Sequence, residues 1–324
     1  MPPNPTNFMN LQKISVLILL LFAFLGNLKA QILDDVHYYV TDRKATNAFF
    51  EKNFSAKQMA DNPMNPLAFI NFLQIKQGQT TVNISAQGPF PGIKVGDPKR
   101  WEKTLVKPDA TNPPVYGVYW LSISTKNLKR ALRKLKKNGV EMADVKIKLP
   151  LEPNAKFATI WTPDYNLLVL VERPNSKNFA IDHLQFLVSK LEPELKFYVE
   201  TLGAKIIQKA PHTAKIEVGN HVFVLSEPEG LVIDRDIVIK KESSKFIPGI
   251  DHIGFLYAKD EDMTAAYQKA TSLGFKGLMQ PTKMLYYNKP TPYTFGILFS
   301  PEGFQIEFET ESGGRYGPRT AYQK

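Results

Sequence analysis

The chain has 324 residues, of which 43% are hydrophobic and 22% charged, a composition typical of a folded globular protein rather than a disordered one. It contains no cysteine, which excludes disulfides, thiolate metal ligands and iron–sulfur clusters. The net charge of +10 is partly concentrated in residues 126–137 (KNLKRALRKLKK), so it is weak evidence for a nucleic-acid partner.

The N-terminal segment has the pattern of an export signal. Residues 14–25 (ISVLILLLFAFL) form an apolar run that follows Lys13 and precedes Ala30, a small residue suited to cleavage. This run is too short to span a bilayer, which requires roughly 17–25 residues, but it is typical of a signal-peptide core. We therefore predict a signal peptide or N-terminal anchor over residues 1–30, export to the periplasm or beyond, and no membrane span in the mature chain. Membrane anchoring is the alternative.

A repeated unit organises the rest of the chain. Four times, a strand-like run is followed by a helix that ends near glycine and then by further strand-like runs. The opening runs are VHYYV, VYGVYWLSI, AIDHLQFLV and GIDHIGFLY. The third helix, for example, carries Leu195, Tyr198 and Leu202 at helical spacing and is predicted to end at Gly203. We number these units as modules one to four.

The second module contains the basic segment 126–137. Its Leu128, Leu132 and Leu135 have helical spacing, which predicts an amphipathic helix with a solvated basic face. No aromatic residues for base stacking accompany these charges, so we expect no nucleic-acid partner.

Three residues have the side chains of a metal site. His183 and His252 occupy the same place in AIDHLQFLV and GIDHIGFLY, and Glu307 lies in the strand-like run after Pro301-Glu302-Gly303. Strand alternation places their apolar neighbours on the opposite face. Two histidines and one carboxylate form the ligand set of a facial metal triad, so we predict His183, His252 and Glu307 as metal ligands.

The first two modules provide a comparison within the chain. At the places that correspond to His183, His252 and Glu307 they carry His37, Val118 and Val169. Because valine cannot bind a metal, we expect modules one and two to be metal-free and His37 to be structural.

The modules and the positions of these residues resemble the vicinal oxygen chelate (glyoxalase/bleomycin resistance/extradiol dioxygenase) superfamily, and most closely its two-domain type I extradiol dioxygenases. The resemblance covers roughly residues 33–312. It implies an α+β fold in which four βαβββ modules pair into two cup-like domains. The expected boundaries are residues 31–173 for a metal-free N-terminal pair, 174–312 for a C-terminal pair with the metal site, and 313–324 for a flexible basic tail.

The resemblance also implies roles for individual residues. His221 occupies the place of the acid/base histidine. The alternative interpretation is that His221 is a polar strand residue with a structural role. Phe223 occupies the place of a fourth ligand, which favours a three-ligand site. Pro292 or Tyr293 and Ile297 replace residues that extradiol enzymes use for ring cleavage.

We therefore expect a metal-dependent dioxygenase-like enzyme that acts with O₂ on a small aromatic substrate with two neighbouring oxygens. Fe(II) is the expected metal, with Mn(II) and Zn(II) as alternatives, and a homo-oligomer is left open. Another metal-assisted reaction, by a lyase or isomerase, and a metal-free binding protein are the competing functions.

Overall fold

The computed structural model describes residues 32–61, 70–77, 80–87, 116–145, 147–149, 151–176, 179–219, 221–231, 248–284 and 293–310. The predicted N-terminal signal, the predicted tail and Pro292 lie outside these ranges. None of the helices in the described ranges combines the length and the apolar character needed to cross a membrane.

Four helices and fifteen strands are described. Modules one, three and four have the predicted βαβββ order, whereas the described part of module two has three strands, not four. The helices are α1 (Arg43–Phe54), α2 (Leu128–Lys137), α3 (Leu191–Leu202) and α4 (Asp260–Ser272). The strands are β1 (Ile32–Tyr39), β2 (Lys57–Asp61), β3 (Ile70–Gln77), β4 (Thr80–Gln87), β5 (Gly117–Thr125), β6 (Phe157–Trp161), β7 (Leu167–Glu172), β8 (Ala180–Leu187), β9 (Lys205–Ala210), β10 (Thr213–Val218), β11 (His221–Ser226), β12 (Gly249–Tyr257), β13 (Gly277–Met284), β14 (Tyr293–Phe299) and β15 (Gln305–Thr310).

The predicted helix ends agree with these bounds. Helix α3 ends at Gly203, whose φ of 62° is left-handed and whose backbone N–H donates to the carbonyl of Tyr198. Helix α2 carries its basic residues on the exposed side and buries Ala131 and Leu135, as its spacing predicts. The α+β class is therefore confirmed, with two sheets and one described helix in each module.

The modules pair in a different order from the predicted one. An eight-stranded sheet runs β13-β14-β15-β12-β1-β4-β3-β2, and a seven-stranded sheet runs β6-β7-β5-β8-β11-β10-β9. Module one therefore shares a sheet with module four, and module two with module three. This corrects the expected pairs over residues 31–173 and 174–312. The first strand of every module presents a similar edge, so the strand pattern does not determine which edges meet.

All four helices pack into one core between the sheets. That core includes apolar residues from one face of each sheet, among them Val36, Ile253 and Phe308 from the eight-stranded sheet and Leu184 and Phe186 from the seven-stranded sheet. The other face of each sheet is therefore turned away from the helices, and we call it the concave face.

Consecutive modules are joined by carboxylates in equivalent turns. Asp164, just before β7, accepts hydrogen bonds from Thr41 N (2.7 Å), the Thr41 hydroxyl and Thr46 Oγ1 (2.9 Å) at the start of α1. Glu302, just before β15, accepts from Ser189 N and Ser189 Oγ (both 2.6 Å) at the start of α3. Each turn thus ties its module to the preceding one, although the two lie in different sheets.

This junction gives a stability prediction. Replacing the buried Asp164 with alanine should lower the free energy of unfolding by about 1–3 kcal/mol, because it removes the acceptor of several partly buried donors. The control is Asp42→Ala, which removes one exposed bond to Ala45 N and should cost about 1 kcal/mol. Urea unfolding would measure both; equal losses would contradict a role for Asp164 in joining the modules.

Candidate metal site

The concave face of the eight-stranded sheet collects the polar residues of β1, β12 and β15. Ile253 and Phe255 of β12 lie in the core, so His252 and Gly254 face the other way. Ile306 and Phe308 of β15 likewise lie in the core, and Glu307 and Glu309 do not.

Strand β1 contributes two further polar residues to this face. Val36 and Tyr38 lie in the core, which turns Asp35 and His37 towards the concave side. His37 pairs with His252 in the antiparallel register of β1 and β12. We name Asp35, His37, His252 and Glu307 the histidine–carboxylate cluster.

The four members of the cluster lie close together. The His37 and His252 ring centroids are 4.2 Å apart, and His252 Nε2 is 2.8 Å from Glu307 Oε2. One donor atom from each of Asp35, His37 and His252 lies within 4.8 Å of the others. Asp35, His37 and Glu307 are buried, at 2%, 3% and 3% exposure. The structure thus brings together His252 and Glu307, as predicted, and adds His37 and Asp35.

The electrostatics of the cluster favour a positive charge. Burial opposes protonation of His252, but hydrogen bonds from its ring to Asp251 and Glu307 and the charges of Glu307 and Asp35 raise its pKa to about 10. His252 is therefore an imidazolium near neutral pH. A divalent cation could take the place of that proton, because metal ligands must be deprotonated.

Asp251 orients the His252 ring. Its Oδ2 lies 2.9 Å from His252 Nδ1 and leaves Nε2 directed at Glu307. A carboxylate on the distal ring nitrogen is the usual partner of a metal-binding histidine. Strand alternation places Asp251 and His252 on opposite faces of β12, so this contact between their side chains was not predictable from the sequence pattern.

His183 lies in the other sheet, on β8. Its Nε2 is 2.9 Å from Ser122 Oγ and its Nδ1 is 2.9 Å from Asp182 Oδ2. Asp182 in turn accepts two hydrogen bonds of 2.7 Å from Arg173, and although burial opposes it, these partners hold the pKa of Asp182 well below its usual range. His183 therefore belongs to a hydrogen-bonded network in the seven-stranded sheet, and the pairing of modules separates it from His252 and Glu307.

The seven-stranded sheet replaces the other ligands with apolar residues. In the eight-stranded sheet, Glu307 pairs with Gly254, which lies two residues after His252. In the seven-stranded sheet, Val169 is equivalent to Glu307 and pairs with Ser122, which lies two residues after Trp120. Trp120 thus occupies the place of His252, where the sequence comparison had assigned Val118. Trp120 and Val169 join an apolar cluster with Val145, Ile147 and Leu149. Apolar side chains therefore occupy the places on this face that correspond to His252 and Glu307.

His221 does not face the cluster. It pairs with Val218 across β10 and β11 and shares the face of Phe223, whose ring is 5.7 Å from that of Tyr198 on α3. Phe223 lies in the core between the sheets, so the face that His221 and Phe223 share is the one packed on the helices. The assignment of His221 as acid/base residue in the metal-binding cup is corrected accordingly.

Burial of His221 predicts a pH dependence of stability. Desolvation lowers the pKa of His221 from 6.5 to about 4. In the unfolded chain, His221 therefore takes up a proton as the pH falls through 6.5. In the folded chain, it does so only near pH 4. Stability from this source is complete above pH 6.5 and is lost as the pH falls towards 4.

Urea unfolding at pH 7.5 and pH 5 would test this linkage. When the pH falls from 7.5 to 5, the contribution of His221 should lower the unfolding free energy of the wild-type protein by about 2 kcal/mol. His221→Phe should remove that part of the pH dependence. The same pH dependence in both proteins would show that His221 is not protonated on unfolding.

The donor set of the cluster fits a divalent metal. Imidazole nitrogens and carboxylate oxygens are ligands for Fe(II), Mn(II) and Zn(II). Asp35, Glu307 and Glu309 are all buried, whereas no lysine or arginine among the described side chains is buried. Burying several carboxylates is costly, and a bound cation would offset that cost.

Comparison with known proteins supports the fold. Residues 180–308 match the model of the Glyoxalase/Bleomycin resistance protein/Dioxygenase superfamily, which confirms the predicted superfamily resemblance over that part of the chain. Glyoxalase I from Zea mays is 14% identical with a TM-score of 0.60, over 87% of this chain and 92% of that chain. A candidate dioxygenase from Bacillus subtilis is 13% identical with a TM-score of 0.60, over 91% of each chain. Comparison with curated protein sequences found no match.

Proposed function

We propose that this chain is a metal-dependent enzyme acting on a small molecule at the histidine–carboxylate cluster, because residues 180–308 match the model of the Glyoxalase/Bleomycin resistance protein/Dioxygenase superfamily. The observation that carries the proposal is that His252, on the concave face, lies close to His37 on one side and to Glu307 on the other. The superfamily includes metalloenzymes such as glyoxalase I and dioxygenases.

His37, His252 and Glu307 would hold the metal. They form the two-histidine, one-carboxylate set predicted from the sequence, with His37 in the place of His183. When bound there, a divalent metal supplies Lewis-acid stabilisation of negative charge on a substrate oxygen. Asp251, on the distal nitrogen of His252, would keep the ring in a ligating orientation.

Glu309 is our candidate for proton transfer. It is two residues from Glu307 on the same face of β15 and is 3% exposed. A buried carboxylate at this place could remove a proton from the carbon next to a substrate carbonyl. This would support an isomerase or lyase reaction on a substrate with neighbouring hydroxyl and carbonyl oxygens.

The placement of histidines favours this reaction class. The chain has five histidines. His37 and His252 belong to the cluster, and His183, His212 and His221 belong to the seven-stranded sheet or its turns. No histidine is left for acid/base work beside the metal, so proton transfer falls to carboxylates.

Oxygen-dependent cleavage is the second candidate. The observation that favours it is the ligand set itself, because two histidines and one carboxylate are typical of non-haem Fe(II) oxygenases. Ile297, which pairs with Glu307 from β14, stands where extradiol enzymes carry a catalytic side chain. That replacement makes ring cleavage the weaker of the two candidates.

One paired assay separates the candidates. Protein loaded with Fe(II), Mn(II) or Zn(II) would be incubated with α-hydroxy carbonyl compounds in D₂O, and exchange of the α-hydrogen followed by NMR. The same preparations would be tested for O₂ uptake with a catechol panel. We expect metal-dependent exchange without O₂ uptake. Uptake would support the dioxygenase, and ligand binding that survives metal removal without either reaction would identify a binding protein.

A further inference from the structure

Asp35 lies unusually close to both histidines of the cluster. One Asp35 oxygen and one ring nitrogen from each of His37 and His252 fall within 4.8 Å of one another. Bonds of about 2.0–2.2 Å from a shared ion imply donors about 3–4 Å apart. Asp35 therefore needs only a small movement to share an ion with the two histidines, and at 2% exposure its carboxylate is already desolvated.

Gly254 provides the space that Asp35 occupies. A Cβ atom at residue 254 would lie 2.2 Å from Asp35 Oδ1 and 3.1 Å from its Cγ. Gly254 pairs with Asp35 on one side and with Glu307 on the other. The lack of a side chain at 254 thus lets the Asp35 carboxylate extend over β12, towards the strand that carries Glu307.

We infer that Asp35 is a fourth protein ligand of the metal. This inference rests on the proposed function and adds one carboxylate to His37, His252 and Glu307. The two carboxylates would balance the charge of a divalent cation. In a six-coordinate ion, four protein ligands leave two positions, enough for two neighbouring substrate oxygens but not for O₂ as well. A fourth ligand therefore favours the isomerase or lyase over the dioxygenase.

The absence of cysteine from the chain allows a direct spectroscopic test. Asp35→Cys would introduce a single thiol, and thiolate bound to Co(II) gives a sulfur-to-cobalt charge-transfer absorption. The matched control is Asp34→Cys, because Asp34 is the neighbouring carboxylate at the register shift of β1 and is not within the donor group. We expect the absorption in Asp35→Cys alone.

Metal affinity gives an independent readout. Asp35→Asn should weaken binding of Co(II) and Mn(II) by at least about 10–100-fold, the loss typical of even an outer partner of a metal ligand. Asp34→Asn should bind as wild type does. Calorimetric titration of the full chain would measure the dissociation constants, and circular dichroism would confirm that each variant is folded.

The outcomes distinguish this inference from the proposed function. If wild-type protein binds neither metal, the proposed function fails and Asp35 fails with it. If wild type binds and His252→Ala does not, unchanged affinity in Asp35→Asn would overturn the role of Asp35 alone. If Asp35→Cys does not fold, the Asp35→Asn titration decides the question.

Discussion

Replacing His252 with alanine should abolish high-affinity binding of one divalent metal ion per chain. His252 is the centre of the histidine–carboxylate cluster: its ring centroid is 4.2 Å from that of His37 and its Nε2 is 2.8 Å from Glu307 Oε2. Without it, the carboxylates of the cluster lose the nitrogen donor that lies between them. Metal content after dialysis, measured by inductively coupled plasma mass spectrometry, should fall from about one equivalent to background.

The matched control is His183→Ala. His183 is also a buried strand histidine with an aspartate on its Nδ1, but it lies in the other sheet and contacts Ser122. It should keep the full metal content, whereas His37→Ala should lose most of it. If His183→Ala lost the metal and His37→Ala kept it, the result would contradict the proposed site. It would favour the pairing expected from the sequence, in which module three shares a sheet with module four.

Replacing Glu309 with glutamine should leave the metal bound and reduce turnover by about 10²–10⁴-fold, the usual contribution of a general base. Glutamine keeps the size of the side chain and one oxygen acceptor, but its amide cannot act as a base. The measurement is the rate of α-hydrogen exchange for the α-hydroxy carbonyl compound that the D₂O screen identifies, together with metal content.

The control for this variant is Glu217→Gln, on β10 of the seven-stranded sheet. It should change neither exchange nor metal content. The acidic limb of the pH–rate profile should also disappear in Glu309→Gln, since it reports the base. A variant with unchanged exchange would remove Glu309 from the mechanism, while one that loses its metal would make Glu309 part of the metal site.

Much of the fold was predictable because local rules determine it. Helix ends follow from residues such as Gly203, whose left-handed backbone suits glycine. Strand faces follow from alternation: Ile253 and Phe255 pack in the core, so His252 must face away from it. The same rule placed Glu307 correctly. These inferences need only the residues of one strand or one helix.

The pairing of modules was not predictable from these rules, because it depends on contacts between distant edges. In the predicted order His183 would meet His252; in the structure His37 does so, through the register of β1 and β12. The equivalence of His37 and His183 was visible in the sequence. Nothing in the sequence indicated whether the first strand of module four pairs with that of module one or with that of module three.

Asp35 was missed for a related reason. It lies two residues before His37, so alternation puts both on one face, but only the correct partner strand gives that pair a function. The sequence signal for Asp35 as a ligand has two parts. Asp35 and His37 are separated by one residue, and they lie opposite Gly254, which has no side chain to block the Asp35 carboxylate. That signal has meaning only when the register of the two strands is known.

The most direct test of the account is a crystal of the full chain grown with Co(II) or Mn(II), with data collected near the absorption edge of the metal. We predict one anomalous peak on the concave face of the eight-stranded sheet, bonded to His37, His252 and Glu307 at about 2.0–2.2 Å. A peak at His183, or full metal occupancy with His37 and His252 both outside bonding distance, would contradict the central claim.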